Sequence, residues 1–131
     1  MDFRKDRMIM KNISDSEWKV MKVIWSKPPM LASEIIERLS EETDWNPKTI
    51  HTLIRRLVTK GVLKAEKEKN YYSYYPLVSE EECVQAETKT FLEKCFEGSF
   101  NVMISNFIKG DKLSDKEIDE LEKLLESKKS R

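Results

Sequence analysis

Residues 46–61 read NPKTIHTLIRRLVTKG, and the rest of the chain is best read outward from them. Apolar residues fall at Ile50, Leu53, Ile54, Leu57 and Val58. That i, i+3, i+4, i+7, i+8 spacing predicts an amphipathic helix with one buried stripe. Asn46 suits the N-cap and Pro47 the first helical position, where its missing N–H costs nothing, while Gly61 can take the left-handed conformation that ends a helix. The opposite face carries Lys48, Thr52, Arg55 and Thr59, flanked by Thr49, His51 and Arg56. It holds cations and short hydroxyls and no carboxylate. In a helix lying in the major groove every acid would face phosphate, so this composition fits a DNA-reading helix. Taken alone, the helix fits a solvated basic face equally well, and its neighbours have to decide.

Upstream, Ser14 and Glu17 form an S-x-x-E capping box stapled by Ile13 and Trp18. The helix they open should bury Trp18, Met21, Ile24 and Trp25 and stop before Pro28-Pro29. A second helix is predicted over Ala32–Ser40, with Ile35, Ile36 and Leu39 inward and Trp45 packed as core before the basic helix. Downstream, 62–66 and 71–75 are two strand-like runs joined by the polar turn Lys67-Glu68-Lys69-Asn70. Asn70 tolerates positive φ, which suits a hairpin. Strand alternation should turn two of Tyr71, Tyr72, Tyr74 and Tyr75 onto the helices. Three helices followed by a hairpin is the winged helix-turn-helix order, in which the third helix enters the major groove and the hairpin reaches neighbouring backbone.

Beyond Pro76 the pattern becomes wholly helical. Ser79 and Glu82 open a helix to about Glu97 that should bury Val84, Phe91, Leu92, Cys95 and Phe96. Phe100, Met103, Ile104, Phe107 and Ile108 stripe the next helix, closed by Gly110. Ser114 and Glu117 open the last, striped by Ile118, Leu121, Leu124 and Leu125. About fifty residues make a poor core alone, so these stripes are expected to pair with a second copy. Folding back on the winged domain is the competing arrangement. The expected fold is therefore mainly α with a small β-hairpin: a loosely ordered arm (1–11), a winged-helix domain (12–77) and a helical dimerisation domain (78–131). Phe91, Phe96, Phe100, Met103, Phe107, Leu121, Leu124 and Leu125 would line the dimer contact.

Charge agrees with a nucleic-acid partner. The 131-residue chain is formally neutral, but residues 46–78 hold 7 basic and 2 acidic side chains, while 79–131 hold 9 basic and 13 acidic. A basic middle between neutral and acidic flanks marks a polyanion-binding patch. Lys48, Thr49, His51, Thr52, Arg55 and Arg56 on the helix, with Lys67, Lys69 and Tyr71 on the hairpin, are the expected DNA contacts. Cys83 and Cys95 lie apart, with no C-x-x-C, and the lone His51 is remote from both, so no metal or cofactor is expected. Nothing resembles a signal peptide or a membrane span, which points to a cytoplasmic protein without membrane insertion.

SDSEWKVMKVIW, NPKTIHTLIRRLVTKGVL, YYSYYPLVSEEE and KTFLEKCFEGSF with MISNFIKGDKLSDKEIDELEKLL together resemble the penicillinase-repressor (BlaI/MecI) family of bacterial transcriptional regulators. The likeness runs from about Ile13 to Leu125. It implies a dimeric repressor on dyad-symmetric operators, tied to antibiotic resistance. It also implies a membrane sensor-transducer protease as partner, inactivating the repressor by cutting an Asn-Phe bond in the dimerisation part. Asn106-Phe107 stands in the matching place. The sister branch of copper-responsive repressors has a cysteine-rich tail, whereas this chain ends LESKKSR. His51 departs from the longer cation common at that position in relatives, which leaves operator preference open. Two other readings compete. An enzyme would need a nucleophile with its base, paired carboxylates or a metal set, and Gly61, Gly98 and Gly110 form no phosphate loop. A winged-helix protein-interaction module would not need the acid-free face.

Overall fold

The computed structural model describes residues 13–129. The arm expected over 1–11, residue 12 and the last two residues lie outside that range. The chain forms two compact units, one through Thr88 and one from Lys89.

In the first unit, helix α1 (Asp15–Ser26) starts at the expected capping box. The Glu17 N–H donates to Ser14 Oγ at 3.2 Å, and the Ser14 N–H donates to Glu17 Oε1 at 2.8 Å. Met30–Leu31 then form a two-residue strand, β1, before α2 (Ala32–Glu42) and α3 (Pro47–Thr59). Strands β2 (Leu63–Glu68) and β3 (Tyr71–Pro76) complete an antiparallel sheet in the order β1-β3-β2. The third strand was not foreseen, because two residues show no periodicity and their pairing with β3, Met30 opposite Tyr74 and Leu31 opposite Ser73, is entirely non-local.

The core gathers Met21, Ile24, Ile35, Leu39, Ile54, Leu57 and Leu63 from α1, α2, α3 and β2. The α3 stripe is placed as its spacing predicts, with Ile50, Leu53, Ile54 and Leu57 buried. Each gains about 1.5–3 kcal/mol by leaving water, which fixes the helix's rotation and therefore the face it presents outward. The tryptophans sit at the rim instead of the centre. Trp18 and Trp25 meet edge-to-face at 5.7 Å, and the Trp25 indole N–H donates to the Val78 carbonyl at 3.0 Å. A rim position lets the ring pack while its N–H keeps a partner. Val20 and Val23 take the central places in α1.

Three hairpin expectations are corrected. Glu68 pairs with Tyr71, so the turn is only Lys69-Asn70. Among the described residues the left-handed non-glycine positions are Glu97 and Asp111, not Asn70. Of the tyrosines, only Tyr74 packs on the core; Tyr71 and Tyr72 extend past its edge and are exposed.

Helix α4 (Glu80–Phe96) begins in the first unit. There Val78 and Cys83 are buried, and Lys22 on α1 pairs with Glu80. In the second unit, α5 (Phe100–Lys109) and α6 (Asp115–Lys129) contain no buried residue. The Ser114–Glu117 box forms in both directions, at 3.0 and 3.1 Å. The expected burial of Val84, Phe91 and Cys95 is not found: all three are exposed. The stripes exist on the helices, but a single chain has too little opposing surface to cover them.

Candidate nucleic-acid interface

Asn46 Oδ1 accepts the Thr49 N–H at 2.8 Å, starting α3, and Gly61 at φ 81° ends it, with the Val62 N–H reaching the Leu57 carbonyl at 3.0 Å. Between these caps the buried stripe turns Lys48, Thr49, His51, Arg55, Arg56 and Thr59 out, all exposed, on a face without carboxylate. Thr52 is half-buried, and its hydroxyl donates to the Lys48 carbonyl at 3.0 Å. Its methyl group and oxygen lone pair, not its proton, are left for a ligand. Thr52, Arg55, Arg56, Thr59 and Lys60 line one shallow depression.

Burial, with neighbouring Tyr72, pushes the Tyr74 phenol above its ordinary value, and the Arg55 guanidinium acts against this. Arg55 on the basic face of α3 therefore lies within electrostatic reach of Tyr74 on β3. Residues directly opposed in an antiparallel pair point to the same side, and sides alternate along a strand. Lys67 opposes Tyr72, and Ala65 opposes Tyr74, whose ring packs on the core. Lys67 and Tyr72 thus extend the sheet face that carries the helices. Tyr71 opposes Glu68 and shares the other face with Glu66, itself paired to Lys64 at 2.9 Å. The sequence-based choice of Tyr71 falls beside carboxylates, and Tyr72, which sequence reasoning passed over, stands beside the cation. Alternation separates the two tyrosines in sequence, but only the register tells which face carries the helices. Lys69 is exposed in the turn.

A second omission is Glu17. Read as a cap alone, it is 1% exposed and accepts from Lys60 Nζ at 2.6 Å, just past the end of α3. Burial raises its carboxyl, but the hydrogen bonds from Lys60 and Ser14 outweigh this and hold it below the ordinary carboxylate value.

In the second unit, Asn106 is exposed and Phe107 half-buried within α5, their carbonyls accepting from the Gly110 and Lys112 N–H groups at 3.0 Å. Phe91, Phe100, Leu124 and Leu125 are exposed, and Phe96, Met103, Phe107 and Leu121 half-buried. Both cysteines are free. Cys83 is buried, which, with Glu82 and Glu80, pushes its thiol up to about 11. Among the described residues, no group of three or more His, Cys, Asp or Glu could hold a metal ion, and no helix is long and apolar enough to cross a membrane.

A family model described as penicillinase repressor matches residues 13–127. The methicillin resistance regulatory protein MecI of Staphylococcus aureus is 41% identical over 116 residues, covering 88% of this chain and 94% of its own length. The penicillinase repressor of Bacillus licheniformis is 40% identical over 119 residues, covering 91% and 93%. Among solved structures, the monomeric form of Bacillus licheniformis BlaI in complex with the blaP half-operator is similar with a TM-score of 0.50 and 42% identity, over 54% of this chain and 87% of that one.

Proposed function

The chain belongs to the penicillinase-repressor family, and on that premise we propose that it is a cytoplasmic homodimeric repressor of resistance genes, binding a dyad-symmetric operator and inactivated by proteolysis at Asn106-Phe107. The observation that carries the DNA-binding part is the exposed, acid-free face of α3 together with a hairpin that exposes Lys67 near the end of β2 and Lys69 in its turn. In this reading Thr49, Thr52 and Arg55 approach base edges, while Lys48, His51 and Arg56 lie along the groove wall. The hairpin lysines neutralise phosphates, with Tyr71 or Tyr72 alongside. Arg55 is the residue suited to a bidentate contact with guanine, and Arg55→Ala should cost about 1–3 kcal/mol and relax preference at one base pair per half-site. Gel-shift titration on operator and random duplexes measures this. An equal loss on both would make Arg55 a phosphate contact.

Pairing of two copies is supported by the uncovered apolar side chains of the second unit, among them Phe100, Ile108, Leu124 and Leu125. Two linked reading helices engage a dyad with an effective concentration that separate monomers lack, raising avidity by about 10²–10⁴. Inactivation follows from the same arrangement. The Asn106-Phe107 bond lies inside α5, and a protease binds its target extended, so cutting requires α5 to open locally. The cut separates residues 107–131 from the reading helix, and with them Leu121, Leu124 and Leu125. Dimerisation and avidity fall while the DNA-contacting face is unchanged. A chain ending at Asn106, compared with the intact protein by sedimentation and operator binding, tests this step. A truncated chain that remains dimeric and binds as tightly would remove proteolysis at this bond as the switch.

A further inference from the structure

We propose that Glu17 is a positioning residue for DNA recognition, setting the C-terminal end of the reading helix through its bond to Lys60; this rests on the DNA-binding role of α3. Glu17 is the third residue of α1, and its side chain reaches across to Lys60, the C-cap residue of α3. One carboxylate oxygen, Oε1, accepts both Lys60 Nζ at 2.6 Å and the Ser14 N–H at 2.8 Å. The bond therefore joins two helix termini, the start of α1 and the end of α3. The Lys60 N–H in turn donates to the Arg56 carbonyl at 2.9 Å, which ties the lysine's position to the last turn carrying the outward cations.

Two features distinguish this from an ordinary stabilising pair. Oε2 of Glu17 is buried and has no hydrogen-bond partner among the described residues. A buried carboxylate left half satisfied is a poor way to gain stability, since apolar side chains of similar volume do as well or better. What an ion pair supplies and an apolar contact does not is direction: it holds one atom against another at a defined distance and angle. Second, Lys60 is the next cation after Arg56 on the same side of the helix, lining the same depression as Arg55 and Arg56. Its ammonium is nevertheless turned to Glu17, at the margin of the basic face. The apolar stripe fixes how α3 rotates about its axis, but apolar packing tolerates small sliding and tilting. The Glu17–Lys60 bond limits both at the end of the helix nearest Arg55 and Arg56.

The consequence is specific to sequence discrimination. Base-edge contacts demand side-chain placement, whereas phosphate attraction tolerates error. Glu17→Gln keeps the size and a hydrogen-bonding oxygen but removes the charge. Glu17→Met combined with Lys60→Met removes both charges in an apolar pair that can pack, which gives a second route to a folded variant without the ion pair. The probe is a duplex enriched from a random-sequence pool by the intact protein, titrated against a scrambled duplex well below the melting temperature. Simple destabilisation lowers the active fraction for both duplexes equally and leaves their affinity ratio unchanged. The expected result is that the ratio falls about tenfold in the folded variants. A ratio within twofold of the intact protein in folded variants overturns the assignment. Absence of any enriched duplex from the intact protein's own selection refutes the DNA-binding reading itself, and this assignment with it.

Discussion

Replacing Leu124 by alanine tests whether the second unit is completed by another copy. Leu124 is 65% exposed on α6, so its removal takes little packing from its own chain, and alanine is the better helix former. A leucine wholly removed from water gains about 1.5–3 kcal/mol, of which about two-thirds remains available to a partner here. Alanine keeps part of that, so each copy loses roughly 0.75–1.5 kcal/mol. Two copies enter a symmetric interface, giving about 1.5–3 kcal/mol, or a dimer constant weakened about 10- to 150-fold. Sedimentation equilibrium over a range of protein concentrations reads this directly, and far-ultraviolet circular dichroism checks that helicity is kept. Operator binding should weaken in parallel at concentrations where dimers dissociate, and recover when protein is added in excess. A dimer constant changed less than twofold by Leu124→Ala, with Leu125→Ala equally silent, would refute the idea that the α6 stripe is the joint.

Removing the hairpin cations with Lys67→Ala and Lys69→Ala should reduce the magnitude of the log–log salt slope by up to about 0.9 for each phosphate left without its cation; an unchanged slope would leave the hairpin tip in solvent. Glu17, whose carboxyl is held below its ordinary value, contributes stability that is complete above the unfolded carboxylate range and is lost as pH falls through the lower folded value. Thermal melts should therefore show Glu17→Gln destabilised at pH 7, by about 1–3 kcal/mol because Lys60 remains partly in water, with the gap narrowing on acidification; a gap constant down to pH 3 would contradict this. With its thiol at about 11, buried Cys83 has a thiolate fraction of about one in a thousand at pH 8. Iodoacetamide on the native protein should give a single adduct at exposed Cys95 by peptide mass spectrometry, and rapid double labelling would refute the buried placement of Cys83.

Much of this protein is written in local patterns. The 46–61 stripe, Asn46-Pro47 and Gly61 define α3 nearly to the residue, because a helix is closed by its own near neighbours and its caps lie within three positions. The same locality made the Ser14 and Ser114 boxes legible, and the acid-free face followed from the stripe by simple rotation. What lay beyond the sequence depended on partners distant along the chain. β1 exists only because β3 lies beside it. That Tyr72, and not Tyr71, shares a sheet face with Lys67 is known only from the register. Glu17 looks complete as a cap until Lys60, 43 positions away, arrives at its carboxylate. The apolar stripes of α5 and α6 were equally clear in sequence, but periodicity says only that a face seeks cover. The tertiary structure decided that a single chain leaves Phe100, Leu124 and Leu125 exposed. Spacing encodes which side of an element is apolar, whereas contact depends on where the rest of the chain has room to go.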